Sequence, residues 1–244
     1  MSKRRIGIME WRKFNEVLRK EKKFIITLDE YYRIKSKLEK VIKLDSHSNG
    51  DGYVVRSLYF DTIDDNDFQS KEDGIEIRRK IRLRNYGADS NFAILEIKQK
   101  QGEFQKKRSL KLKKEDAIEI IDGNYSALLK YNASFAYECY CLMNMYCYKP
   151  KAVIEYKRKA FVVKENKIRI TFDHNIIATE SNFNIFDPNL NQNLMMNTFF
   201  VILEVKYNRF LLSYIKDLLN DCNKSELSVS KYCLGRAISK HYLF

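Results

Sequence analysis

Arg78, Lys80, Arg82 and Arg84 stand at alternate positions of the run IEIRRKIRLRNYG, on one parity with Glu76, while Ile75, Ile77, Ile81 and Leu83 hold the other. Guanidinium and ammonium groups suit phosphate oxygens, Arg through a planar fork and Lys as a compact charge. A period of two puts alternate side chains on opposite faces of a strand, so the run reads as a β-strand with one cationic face, not as a disordered basic tail. Like charges at every second position repel one another. The arrangement is tolerable where water or a polyanion screens it.

The same parity rule returns along the chain. Glu96, Lys98 and Lys100 alternate with Leu95 and Ile97; Tyr156 and Arg158 share a parity; Lys167, Arg169, Thr171 and Asp173 alternate with Ile168, Ile170 and Phe172; Glu204 and Lys206 alternate with Leu203 and Val205. In one strand this also describes an ordinary half-exposed sheet. Across several strands it predicts that a closing sheet gathers the polar faces into a lined channel while helices cover the apolar faces. Cations at that density need anions, and scattered glutamates can hold a divalent metal that also touches a phosphate.

The elements that must position these residues follow from pattern and turn residues. Strands are expected at 22–28, 53–62, 75–85, 92–100, about 104–112, 151–163, 167–173 and 199–207. A helix is expected at 28–42, with Asp29 as its cap and Tyr32, Ile34, Leu38 and Val41 near its inner face. The segment 113–150 reads as two helices broken near Asp122–Gly123 and ending at Pro150. Residues 180–198 form an Asn-rich loop, and helices are expected at 209–221 and from Ser230 onward. The fold class is therefore α+β: one domain over residues 1–244, with a short helix at about 3–19, an antiparallel β-barrel at about 20–207 and helices at about 209–244.

Composition limits the chemistry. The chain has 244 residues, 45% hydrophobic, and Lys plus Arg exceed Asp plus Glu by 45 to 32, a net charge of +13 that calls for an anionic partner. No run approaches the ~18 apolar residues of a membrane span, and the start lacks the ~7–15-residue apolar stretch of a secretory signal, so a cytoplasmic location is the default. The five cysteines are odd in number and lack a CxxC pair, and His47, His174 and His241 sit in no nucleophile or metal motif. Tyr86 and Trp11 are read as packing rings rather than base-stacking ones. No helix-turn-helix, zinc-finger or RNA-binding signature is present, and nucleic acid is not the expected partner.

In chain order the segments EKKF (21–24), SLYFDT (57–62), KIRLRNYG (80–87), LEIK (95–98), KKR (106–108), EYKRKAF (155–161), RITFD (169–173), LEVKY (203–207) and SVSKYC (228–233) resemble the polyphosphate polymerase (VTC) domain of the triphosphate tunnel metalloenzyme, CYTH-like, superfamily. The resemblance implies a tunnel barrel whose basic walls bind ATP or another triphosphate and guide inorganic polyphosphate. By motif it implies that Lys23, Arg82, Arg84, Lys98, Arg158 and Arg169 are catalytic phosphate-binding residues. Lys80, Lys107, Arg108, Tyr156, Lys206, Ser230 and Lys231 become substrate-binding, with Lys107 and Arg108 competing for one basic position. It makes Glu204 the carboxylate for Mn2+ or Mg2+, and Ser230 and Lys231 the closure of one tunnel end. The superfamily's hydrolases place a glutamate pair before the first-strand lysine; here Glu21 has Arg19 where a partner would stand. The implied activity is transfer of the γ-phosphoryl group of ATP to a polyphosphate end. A tunnel triphosphatase and a non-catalytic polyphosphate or nucleic-acid binding module are the alternatives, and a membrane partner would have to come from outside this chain.

Overall fold

Alternation and capping decide the local structure. In the computed structural model, residues 20–48, 50, 52–102, 104–220 and 230–241 are described. The helix expected at 3–19, Trp11, Arg19 and Cys222 lie outside them. The elements run β1 (Lys20–Thr27), α1 (Leu28–Val41), β2 (Lys43–Leu44), β3 (Tyr53–Asp61), α2 (Asn66–Glu72), β4 (Ile77–Asn85), β5 (Phe92–Gln101) and β6 (Phe104–Lys113). There follow α3 (Lys114–Ile121), a 3-10 turn (Tyr125–Lys130), α4 (Ser134–Met145), β7 (Lys149–Val163), β8 (Ile168–Thr179), β9 (Asn193–Leu194), β10 (Phe200–Tyr207), α5 (Ser213–Leu218) and α6 (Lys231–His241).

One antiparallel sheet carries the order β1-β10-β8-β7-β3-β4-β5-β6, with β2 added to β7 and β9 to β8. Its ends, β1 and β6, are not hydrogen-bonded to each other among the described residues, so the expected barrel is not closed by its backbone. Side chains bridge the gap instead: Lys98 Nζ of β5 lies 3.0 Å from Glu21 Oε2 of β1, although five strands (β10, β8, β7, β3 and β4) stand between the two in the sheet order. Only a sheet curled nearly onto itself brings them together.

The convex, apolar face is covered by helices in two blocks. Leu58, Phe60, Ile81, Leu83, Leu95 and Ile97 pack with Ala117, Ile120, Phe135, Cys139 and Met143 of α3 and α4. Ile26, Phe161, Ile170, Phe172, Leu203 and Val205 pack with Tyr31, Ile34 and Leu38 of α1 and Ile215 of α5. Ile34 and Leu38 are fully buried, and each such side chain contributes roughly 1.5–3 kcal/mol of transfer free energy.

Several expectations shift. Thr27, not Asp29, caps α1 through a capping box with Glu30, and the buried stripe is Tyr31, Ile34 and Leu38 while Tyr32 and Val41 are exposed. Pro150 lies inside β7, at the register shift opposite Tyr59 and Phe60, where a bulge relieves the ladder of its missing N–H. β8 runs on to Thr179 because a second register shift, beside Asn175 with φ 48°, resets its parity. Before that bulge Arg169, Thr171 and Asp173 face inward; after it Ile176 and Ala178 do.

The bulge divides the concave face into two zones. Below the polar zone, Val55, Tyr59, Ile154, Tyr156, Ile176, Ala178, Ile202 and Tyr232 of α6 form a buried apolar floor. Gly235 lets α6 settle there, since a Cβ at this position would meet Ile154 Cγ1 at 2.7 Å. No helix among the described residues is long and apolar enough to cross a membrane.

Candidate functional site: a cationic lumen

The inward parity of β4, β5 and β6 builds the first cluster. Glu96, 2% exposed, accepts from Arg82 Nε at 2.6 Å, contacts Lys107 Nζ and stands 3.9 Å from Arg84 Nη1. Tyr59 OH accepts from Arg82 Nη1 at 3.1 Å, and Tyr156 OH accepts from Arg84 Nη2 at 3.4 Å. Burial pushes the Glu96 carboxyl up, but Arg82, Arg84 and Lys107 overcome it and hold the group far below the carboxylate range. Burial works against the Arg82 cation too, and Glu96 and Tyr59 more than offset it.

β1, β5 and β10 build the second. Glu21 receives Lys98 at 3.0 Å and Lys23 at 2.9 Å, and Lys206 lies 4.0 Å away. Glu204, buried, receives Lys206 at 2.9 Å and Lys23 at 3.6 Å, so it shares both lysines with Glu21, which stands diagonally across the β1–β10 ladder. Burial raises Glu204, yet Lys206 and Lys23 hold it well below the usual range. Burial pulls Lys98 down to about 7; Glu21 opposes this, while Lys23 and Lys206 add to it.

The third cluster joins β7 and β8 to α6. Arg158 grips Asp173 with two bonds, Nε to Oδ1 at 2.6 Å and Nη2 to Oδ2 at 2.8 Å, and reaches to 3.6 Å of Glu204. Lys231 Nζ is 2.5 Å from Asp173 Oδ2 and 4.9 Å above the Tyr156 ring. Burial pushes Asp173 up, and Arg158 and Lys231 bring it down to about 2. Across the lumen Ser230 Oγ accepts from Lys80 Nζ at 2.6 Å and from Cys233 N at 3.3 Å, so the serine caps α6 and ties it to β4 at once. Arg169 contacts Asp45 and donates to Tyr53 OH at 3.1 Å.

The structure thus places Lys23, Lys80, Arg82, Arg84, Lys98, Lys107, Tyr156, Arg158, Arg169, Glu204, Lys206, Ser230 and Lys231 around one curled face. Arg108 is the exception. It has the outward parity of β6, paired with Glu138 of α4 and 5.3 Å over the Phe135 ring, which leaves Lys107 as the inward residue of that pair. His174 packs edge-on against Tyr31 of α1 with centroids 4.3 Å apart, and burial lowers it to about 4, so it is neutral at pH 7. Sequence reasoning did not assign the counter-charges Glu96, Asp173 and Asp45 or the acceptor Tyr59 to the site. The parity of Glu96 and Asp173 was the available signal; nothing local marked Asp45.

Ten cations (Lys23, Lys80, Arg82, Arg84, Lys98, Lys107, Arg158, Arg169, Lys206 and Lys231) face five carboxylates: Glu21, Asp45, Glu96, Asp173 and Glu204. Among the described residues no three His, Cys, Asp or Glu side chains converge as a metal cluster. The carboxyls of Glu21 and Glu204, neighbours on paired strands that share Lys23 and Lys206, are hard oxygen donors of the kind that suit Mg2+ or Mn2+ when phosphate oxygens and water complete the shell.

A curled antiparallel sheet with a cationic concave face and helices outside is the triphosphate-tunnel fold, and solved structures share it. A candidate adenylyl cyclase from Hippeastrum, described as having a dominant triphosphatase activity, superposes with a TM-score of 0.55 at 12% identity, covering 91% of this chain and 96% of that one. A candidate adenylate cyclase from Bacillus halodurans gives 0.52 at 11% identity over 88% and 95%, and one from Vibrio parahaemolyticus 0.51 at 12% over 90% and 98%. The family model for the VTC domain matches residues 18–240, and the chain belongs to that family. No curated protein matches the chain.

Proposed function

We propose that the protein is an ATP-dependent polyphosphate polymerase that moves the γ-phosphoryl group of ATP onto the end of a polyphosphate chain held in the lumen. The observation that carries the reading is the excess of cations over carboxylates on a curled, largely buried face, which a polyanion neutralises without any change of fold. Membership of the VTC family supports it.

Phosphoryl transfer asks for positioning and charge rather than a nucleophilic side chain. Arg82, Arg84, Arg158 and Arg169 supply forked donors to the equatorial oxygens, and Lys23, Lys80, Lys98, Lys107, Lys206 and Lys231 supply point charges along the chain. Glu204, with Glu21 beside it, would hold Mn2+ or Mg2+. When bound, such an ion neutralises phosphate oxygens as charge shifts toward the leaving group. A terminal oxygen of the chain forms a bond to the γ-phosphorus in line with the bond to the β-bridging oxygen. That bond breaks, its electron pair leaves with ADP, and the chain grows by one unit.

The placing of Glu21 beside Glu204 across the β1–β10 ladder, with Lys23 and Lys206 shared between them, favours a second reading, a triphosphatase in which water is the acceptor, because two carboxylates at one phosphate can orient water as well as a metal. Incubation of the full chain with ATP and Mn2+, with products resolved on a gel stained for polyphosphate beside a free-phosphate assay, separates the readings. A ladder with ADP is the expected result. Free phosphate without chains would establish the triphosphatase, and neither product, together with salt-sensitive binding of polyphosphate, would leave a binding module.

A further inference from the structure

Beyond the last guanidinium groups the inward positions change chemistry. The parity of Arg82 and Arg84 continues to Tyr86, that of Lys98 and Glu96 runs back to Phe92, and Tyr53 sits opposite Arg158 in the β3–β7 ladder. The three rings meet, with centroids 6.0 Å apart for Tyr53 and Tyr86 and 6.5 Å for Tyr86 and Phe92. Tyr53 is partly buried and its hydroxyl already accepts from Arg169; Lys111 covers a face of Phe92 at 4.1 Å. Tyr86, between them, is 44% exposed. Gly87, with φ +116°, turns the chain at once and holds that ring at the rim.

A nucleoside triphosphate has the same order of chemistry along its length, a row of anions and then a flat π-surface. We propose that Tyr86, braced by Tyr53 and Phe92, is the platform on which the base of a nucleoside triphosphate stacks while its phosphates occupy the lumen. This rests on the polyanion reading of the lumen and adds to it a preference for nucleotides over inorganic chains of equal charge. It also revises the reading of Tyr86 as a packing ring.

The test is calorimetric titration of the full chain, with Mn2+ present, by the β,γ-imido analogue of ATP and by inorganic tripolyphosphate. Wild type, Tyr86→Ala and Tyr86→Phe are compared. Loss of one base–aromatic stack weakens binding by about tenfold. Tyr86→Ala is expected to weaken the nucleotide by that factor and leave tripolyphosphate unchanged, and Tyr86→Phe to bind both as wild type does. Equal weakening of both ligands by Tyr86→Ala, or none for the nucleotide, overturns the platform while the lumen reading stands. Wild-type protein that binds neither ligand overturns both.

Discussion

Glu96→Gln separates what the lumen's carboxylates do for folding from what its cations do for ligand. Glu96 is 2% exposed and neutralises Arg82 at 2.6 Å, Lys107 in contact and Arg84 at 3.9 Å. Glutamine keeps the shape and removes the charge. Taking one partner from a buried pair costs ~3–5 kcal/mol. Lys107 is half-exposed and can turn to water, so the lower end, about 3 kcal/mol, applies. For a chain of this size that is a fall in Tm of roughly 6–12 °C. Tripolyphosphate then restores the missing negative charge and meets no competing carboxylate, so it should raise the Tm of the variant by more than that of wild type. Thermal melts with and without the ligand, at fixed ionic strength, read both effects. An unchanged Tm without ligand would refute the neutralising role. A loss that tripolyphosphate does not recover would refute the claim that Arg82, Arg84 and Lys107 address the lumen. Arg108→Gln, on the outward parity of the neighbouring strand β6, is the control and should show no ligand rescue.

Arg82→Ala should lower turnover of ATP by about a hundredfold, the usual loss for one charge-stabilising donor, with the circular dichroism spectrum retained. Arg158→Ala should cost stability as well, because it leaves the fully buried Asp173 with Lys231 as its remaining partner; Arg158→Lys keeps the second positive charge and isolates the loss of the fork. Glu204→Gln should raise the Mn2+ concentration for half-maximal activity by roughly tenfold or more, since even outer-shell partners of a metal are worth ~10–100-fold. Asp67 offers a pH test. Burial, then the charge of Asp61, pushes its carboxyl up to about 7, against the hydroxyl of Tyr148 at 2.9 Å. A raised carboxyl pKa means the folded state keeps a proton that the unfolded chain has released. Stability therefore falls as pH rises from about 4 to about 7 and this contribution is level above that. Asp67→Asn should flatten the slope, and urea midpoints at pH 5 and pH 8 that still differ as in wild type would refute the assignment.

Much of the site was legible because the period of a strand is a local property. Arg82, Arg84, Lys98, Arg169, Glu204 and Lys206 could be placed on inward faces from parity alone. Arg108 shows the limit: adjacent Lys107 and Arg108 are both basic, and only the pairing of Lys107 with Lys98 on β5 and the carboxylate of Glu138 on α4 separate them. The cap of α1 was displaced by two residues because Thr27 and Glu30 satisfy each other's backbone donors, which an acidic residue at position 29 cannot do. The bulge at Asn175 could not be read from hydrophobicity, since the alternation simply changes phase there.

The amino-acid sequence by itself determined the strands, their two-faced chemistry and the charge that demands an anionic partner, because side-chain direction follows from backbone geometry over a few residues. The tertiary structure alone decided which faces meet. It set Glu21 of the first strand against Lys98 of the fifth, carried Ser230 and Lys231 across to Lys80 and Asp173, and gathered Tyr53, Tyr86 and Phe92 at one rim. These contacts depend on how far the whole sheet curls, a sum of twist and register over every strand pair, which no short stretch of residues specifies.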